Sequence, residues 1–274
     1  MPVPDQFTID RSNKLVALYR DYRTALDDLP VGPMIPYRWW QWPEKIGGWW
    51  MIYSQMLDDY ATELANAIND LSNHVPRLRA WASIVQPLVD DDRFEATHEF
   101  IDQLGTIALG LPYAIKNRFA VAAGHLSHQA NRATDAAGWN DEFPADDKLV
   151  LNDIDPYGAS WTAFRDFKRA IEPIADRAFR QATGDYRNRF NHGFSRRLLL
   201  GITNLVSRDV YEGQVSYGIG GAPPLDLEEM ANLIEAECAK CRAAFERFQA
   251  LVTEQIEAIL AFEEQARLSS AGGD

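Results

Sequence analysis

An apolar stripe near the C-terminal end constrains the fold more than any other feature of this chain. Leu227, Met230, Ile234, Cys238, Cys241, Phe245, Phe248, Val252, Ile256 and Ile259 recur at spacings of three and four. That rhythm puts all of them on one face of a helix. Asp226 precedes the stripe and Glu229 follows three residues on, which is a helix start signal. A helix this long needs other helices against which to bury its stripe, so the expected fold class is all-α, a multi-helix bundle.

The rest of the chain agrees with that class. Helices are expected over Pro4–Leu29, Trp49–Asn73, Pro76–Val89, Arg93–Leu109 (after a cap at Asp90–Asp92), Pro112–Ala137, Trp161–Thr183 and Asp185–Val206. In the second of these, Met56, Tyr60, Leu64, Ile68 and Leu71 mark the apolar face. In the last, Phe190, Phe194, Leu198 and Ile202 point to a core. Val31–Pro36 and Gly138–Gly158 break the pattern with proline and glycine. The second break carries six acids against one lysine, which suits a long surface connection or a lid. Val210–Ile219 alternates roughly, and Glu212-Gly213 can turn a small β-hairpin insert. One helical domain over residues 1–268 is expected, with a disordered tail at 269–274.

Composition removes several function classes. The two cysteines exclude a disulfide-stapled miniprotein. Both lie on the apolar stripe, so Cys238 and Cys241 read as buried thiols rather than half of a zinc site. No apolar run reaches about 18 residues, so no membrane span is expected. Met1–Asp5 lacks the basic and apolar regions of a signal peptide, and a cytoplasmic location is the expectation. Neither a phosphate-binding glycine loop nor a serine elbow is present.

The net charge of -13 excludes a wholesale nucleic-acid coat. It is unevenly spread, however. Between Trp161 and Leu200 nine basic residues face four acids, so that window is +5 and the remainder is -18. A global acidic balance therefore leaves room for a local anion site.

That window contains Tyr186-Arg-Asn-Arg-Phe-Asn-His-Gly-Phe194. On a helix Asn188 and His192 share a face, as do Arg187 and Asn191. Arg187 and His192 are five apart, about 140° beyond a full turn. They can meet on one ligand through the long arginine side chain, or across a two-fold axis where a second copy supplies the other half.

Arg187-Asn188 followed by His192 resembles the motif of the HEPN superfamily (higher eukaryotes and prokaryotes nucleotide-binding). The general look is most similar to a subgroup of abortive-infection proteins. The resemblance implies a HEPN-like helical core over residues 161–262. It implies a metal-independent endoribonuclease of a toxin–antitoxin or phage-defence system, acting as a homodimer on RNA. Arg187, Asn188 and His192 would be catalytic, and Arg189, Arg196 and Arg197 would bind the substrate. The products would be a 2′,3′-cyclic phosphate and a 5′-hydroxyl. The residue types suit this chemistry. Imidazole moves protons near neutrality, and guanidinium stabilises the charge gathering on phosphorus. No cofactor is called for. The acidic remainder suits a basic protein neutraliser as a further partner.

Two alternatives stand beside that reading. One is a non-catalytic HEPN-like interaction or nucleotide-binding protein. The other is a metal-dependent helical-bundle enzyme using His98, His125 and His128. Lys116-Asn-Arg118 reads as a solvated helix face or as part of the same cleft. The aromatic patch around Trp39, Trp40, Trp42, Trp49 and Trp50 reads as packing over the core, or as a partner or base-stacking surface.

Overall fold

A computed structural model describes residues 6–43 and 47–271. The reading of Met1–Asp5, the first two residues of the Pro4–Leu29 helix and the last three of the tail fall outside the described residues. The helices are α1 (Gln6–Asp27), α2 (Trp50–Val85), α3 (Asp90–Ala96), α4 (Asp102–Thr134), α5 (Asp155–Gly158), α6 (Phe164–Ile171), α7 (Arg177–Thr183), α8 (Tyr186–His192) and α9 (Leu227–Ala271). A π-helical turn, Thr97–Ile101, joins α3 to α4, and Asp146–Lys148 forms a 3₁₀ turn. Strands β1 (Val206–Tyr211) and β2 (Gln214–Ile219) pair antiparallel. The architecture is thus helical bundle packing with one small hairpin. No helix among the described residues is long and apolar enough to cross a membrane.

The chain divides into two compact units. The first comprises residues 1–33, 71–111 and 177–236, and the second comprises 34–70, 112–176 and 237–274.

In the first unit the core is built on stacked rings. Tyr22 lies flat on Trp81 with centroids 4.4 Å apart, and Trp81 on Phe100 at 4.8 Å. Leu71, Leu78, Ile101, Leu109 and Met230 are buried around them. Gly105 lets α4 approach closely: a Cβ there would stand 2.6 Å from Leu198 Cδ1 and 2.9 Å from Met230 Cε.

In the second unit Phe119, Phe167 and Phe248 meet edge-on or tilted at about 6 Å, as aromatic quadrupoles favour. Within this core, Tyr53 Oη donates to Gln255 Oε1 at 2.8 Å, and Gln255 Nε2 donates to Ser127 Oγ at 2.9 Å. The aromatic patch belongs to this unit. Trp50 is buried, with Nε1 donating to Glu263 Oε1. Trp39 packs edge-on against Phe245, and Trp42 against Tyr53. Trp49 is exposed beneath the Arg132 guanidinium, 3.8 Å from its ring centroid.

The stripe of α9 is buried at all ten positions, and Asp226 Oδ1 accepts from the backbone N–H groups of Glu228 and Glu229. The helix runs on to Ala271, past the expected tail boundary at Ser269. Cys238 and Cys241 are both buried and not joined in a disulfide, and burial pushes Cys241 well up from its ordinary pKa.

Several expected boundaries are corrected. Pro76 lies inside α2 and Pro112 inside the continuous α4, instead of opening new helices. Pro76 is partly exposed while Leu71, Val75 and Leu78 beside it are buried. The lost hydrogen bond costs about 3 kcal/mol, and the burial of a long apolar face offsets it. Pro173 does end a helix. After it Ala175 takes a positive φ of 49°, and its N–H is accepted by the buried carboxylate of Glu237 at 2.8 Å. The helix expected through Val206 stops at His192. Beyond Gly193, backbone groups bond across to residues 222–225 instead of up a helix. Of its expected core residues only Leu198 is buried, and Phe190, Phe194 and Ile202 are exposed. The Gly138–Gly158 connection is more than a surface strap, because Leu149 and Ile154 are buried.

Tyr53→Phe removes the donor to a buried Gln255 oxygen. It is expected to lower unfolding stability in urea by about 1–3 kcal/mol with an unchanged m-value.

Candidate functional site

The +5 window folds into a tight sequence of short helices. Helix α7 ends on two successive left-handed residues, Gly184 (φ +66°) and Asp185 (φ +55°). Glycine accepts such a φ freely, and aspartate is among the few other residues that visit it. The reversal starts α8 at Tyr186, whose buried ring anchors it. Tyr186 Oη lies 2.9 Å from Thr106 Oγ1, and its ring stacks on Phe190. Burial raises the Tyr186 phenol above its ordinary pKa.

The turn creates a cleft of about 530 Å³ lined by Arg177, Arg180, Gln181, Gly184, Asp185, Arg189, Arg196, Asn204 and Ala222. Four arginines line it against one carboxylate. Arg177, Arg180 and Arg189 are exposed and have no ion-pair or hydrogen-bond partner among the described residues. Other arginines of the same unit do meet acids: Arg79 reaches Glu228 and Glu235, and Arg11 reaches Glu95. The cleft thus gathers three unpaired guanidinium groups on one lining.

Arg196 plays a different part. Its Nε and Nη2 donate to the Pro223 and Pro224 carbonyls at 2.9 and 3.2 Å, and Nη1 donates to the Ala182 carbonyl at 3.1 Å. Its stem passes over Gly184, where a Cβ would stand 2.7 Å from Arg196 Cδ. Arg196 ties the wall of the cleft together.

The motif residues are all exposed on α8: Arg187, Asn188 and His192. The Asn188 amide donates to Asp185 Oδ2 at 3.0 Å, so it serves the helix start and is not bonded to His192. Arg187 and His192 are not among the residues lining the cleft. Arg189 is, and His192 sits three residues on, about 60° around the helix from it. Arg197 is placed away from the cleft lining, near Asp102. Burial raises that carboxyl above its ordinary pKa, and His98 and Arg197 pull it back down.

The three histidines of the metal alternative each have their own carboxylate. His98 lies 3.9 Å from Asp102 in the first unit. In the second, His125 lies 2.6 Å from Asp146 and His128 lies 3.0 Å from Asp141. Phe143 packs against both imidazoles. Among the described residues no group of three or more His, Cys, Asp or Glu side chains is placed to hold a metal ion. Lys116 donates to the Glu172 and Ile174 carbonyls, holding the break after α6.

Sequence reasoning did not single out Arg177, Arg180, Gln181 or Asn204. Both arginines fall in the +5 window, but a continuous helix through Thr183 offers no reason to bring them beside Arg189. The left-handed pair does that. No family model matches the chain, and neither a curated protein nor a solved structure shows significant similarity to it.

Two substitutions separate support from binding. Arg196→Ala removes three charge-assisted hydrogen bonds and should cost on the order of 2–3 kcal/mol in urea unfolding. Arg180→Ala removes no partner. It should leave stability within about 0.5 kcal/mol while weakening the binding of a short single-stranded RNA measured by fluorescence anisotropy.

Proposed function

We propose that the α7–α8 face binds RNA and cleaves it without a metal, in the manner of a HEPN-like endoribonuclease. The observation that carries this reading is the cleft of unpartnered arginines beside a helix that exposes Arg187 and His192. Unanswered guanidinium groups in a concave site favour phosphate, which they grip through paired N–H donors. Arg177, Arg180 and Arg189 hold the backbone flanking the scissile bond.

His192, next around the helix from Arg189, takes the proton of the 2′-hydroxyl. The 2′-oxygen then bonds to phosphorus, the bond to the 5′-oxygen breaks, and that oxygen takes a proton from solvent. Arg187, on another side of α8, meets the phosphorane through its long side chain or from a second copy. A toxin–antitoxin or phage-defence setting with a protein neutraliser belongs to the same reading.

A second reading has its own support. No residue lining the cleft is a histidine, which favours RNA or nucleotide binding without cleavage.

End-labelled RNA incubated in EDTA tests both. Cleavage to 2′,3′-cyclic phosphate ends is expected, falling at least about 100-fold in His192→Ala. Saturable, salt-sensitive RNA binding with no cleavage of any RNA would sink the nuclease reading and leave the second.

A further inference from the structure

The β1–β2 hairpin carries a feature independent of the cleft. Its register pairs Val206 with Ile219, Arg208 with Tyr217, and Val210 with Val215. Side chains of paired residues point to the same side, and alternate pairs share a face. One face of the ribbon therefore carries Val206, Ile219, Val210, Val215 and Tyr217 around Arg208. The other carries Ser207, Ser216 and Gln214 with Tyr211. This is the pattern of a strand pair with a hydrophobic side meant for burial. Yet the five apolar side chains of that face are 48–93% exposed. Arg208 is exposed as well and has no ion-pair or hydrogen-bond partner among the described residues.

The ribbon is well specified as a ribbon. Glu212 and Gly213 both take positive φ, 48° and 78°, which is the backbone of a two-residue hairpin turn whose twist matches the strands. Its root is fastened by the Thr203–Ala222 bridge and by the Gly220 N–H to Leu205 carbonyl bond at 3.0 Å. Near that root Ile202 and Leu205 are also exposed. An isolated hairpin is marginal in water, so an ordered one with a bare apolar face needs a cover.

We propose that a second copy of this chain covers it, with the two ribbons stacked face to face about a two-fold axis along the strands. The area fits. Six side chains at roughly 100 Å² each offer on the order of 600 Å² per copy, the lower end of what a specific dimer buries. The chemistry is self-complementary in this arrangement. The axis lays Val206 of each copy over Ile219 of the other, and Val210 over Val215. It also lays the Arg208 guanidinium over the Tyr217 ring, a cation on an aromatic face. The other two-fold within the face would set Arg208 on Arg208. The interface stands whether or not the α8 face cleaves RNA.

Sedimentation equilibrium on the full chain tests this, with variants chosen on residues exposed in the single copy so that the fold is kept. Far-UV circular dichroism and melting temperature check that it is. The wild type is expected to dimerise. Val210→Lys alone and Val215→Glu alone should each weaken the dimer at least tenfold, because each sets a charge on a valine of the other copy. An equimolar mixture of the two variants should dimerise again, since one heterodimer sets the new lysine over the new glutamate and leaves valine on valine. A monomeric wild type, single variants as dimeric as wild type, or a mixture that stays monomeric would each overturn the proposal. A dimer indifferent to both substitutions would place the contact on a ribbon edge or elsewhere.

Discussion

Two consecutive prolines, Pro223 and Pro224, close the approach to α9. Neither offers an N–H, so the chain there cannot complete a ladder, and their carbonyls need donors from outside. Arg196 supplies them and with the same fork holds the Ala182 carbonyl near the end of α7. A lysine could not do this, since a single ammonium lacks the planar spread to reach all three. The clamp fixes the end of α7, the turn at Gly184–Asp185 and the start of α9 as one piece. The cleft lining between Arg177, Arg180 and Arg189 depends on that piece holding its shape. Gly184 is part of the same constraint, because the stem of Arg196 fills the space a side chain would occupy.

The second unit solves a related problem with a buried acid. Glu237 is almost fully enclosed, and its carboxylate accepts the Ala175 N–H and the Lys240 ammonium, 2.8 and 2.6 Å away. A buried charge with both oxygens engaged is tolerable where an unpaired one is not. It holds the backbone at the break that Pro173 imposes. Glu254 acts in the same way one helix earlier, accepting the Thr162 and Ala163 N–H groups just before α6. In both places a carboxylate on α9 satisfies backbone donors that a helix boundary leaves open.

How much of this was legible in the sequence depended on whether the signal was local. Helix α9 was readable because its cap and its stripe agree, and each is decided within a turn. The hairpin was readable because Glu212-Gly213 allows few backbone shapes. Pro76 and Pro112 misled because a local cost was overruled by burial on long helices, which spacing alone does not weigh. The stripe through Phe190, Phe194 and Ile202 misled for the opposite reason: it assumed a helix across Gly193, and the backbone beyond pairs with residues 222–225. At the site, the charge window was visible. Its concentration in a cleft was not, because it rests on two left-handed residues and on Arg196 finding carbonyls far away in sequence.

The buried thiols have a use as well as a place. Cys238 and Cys241 are the only cysteines in the chain, one turn apart on the enclosed face of α9. A thiol kept out of solvent does not react with an alkylating reagent until the structure around it opens. The native protein is thus a blank background for a cysteine introduced anywhere on its surface. The two native sulfurs also form a built-in clock, whose labelling rate reads how often the first third of the longest helix comes free of its packing.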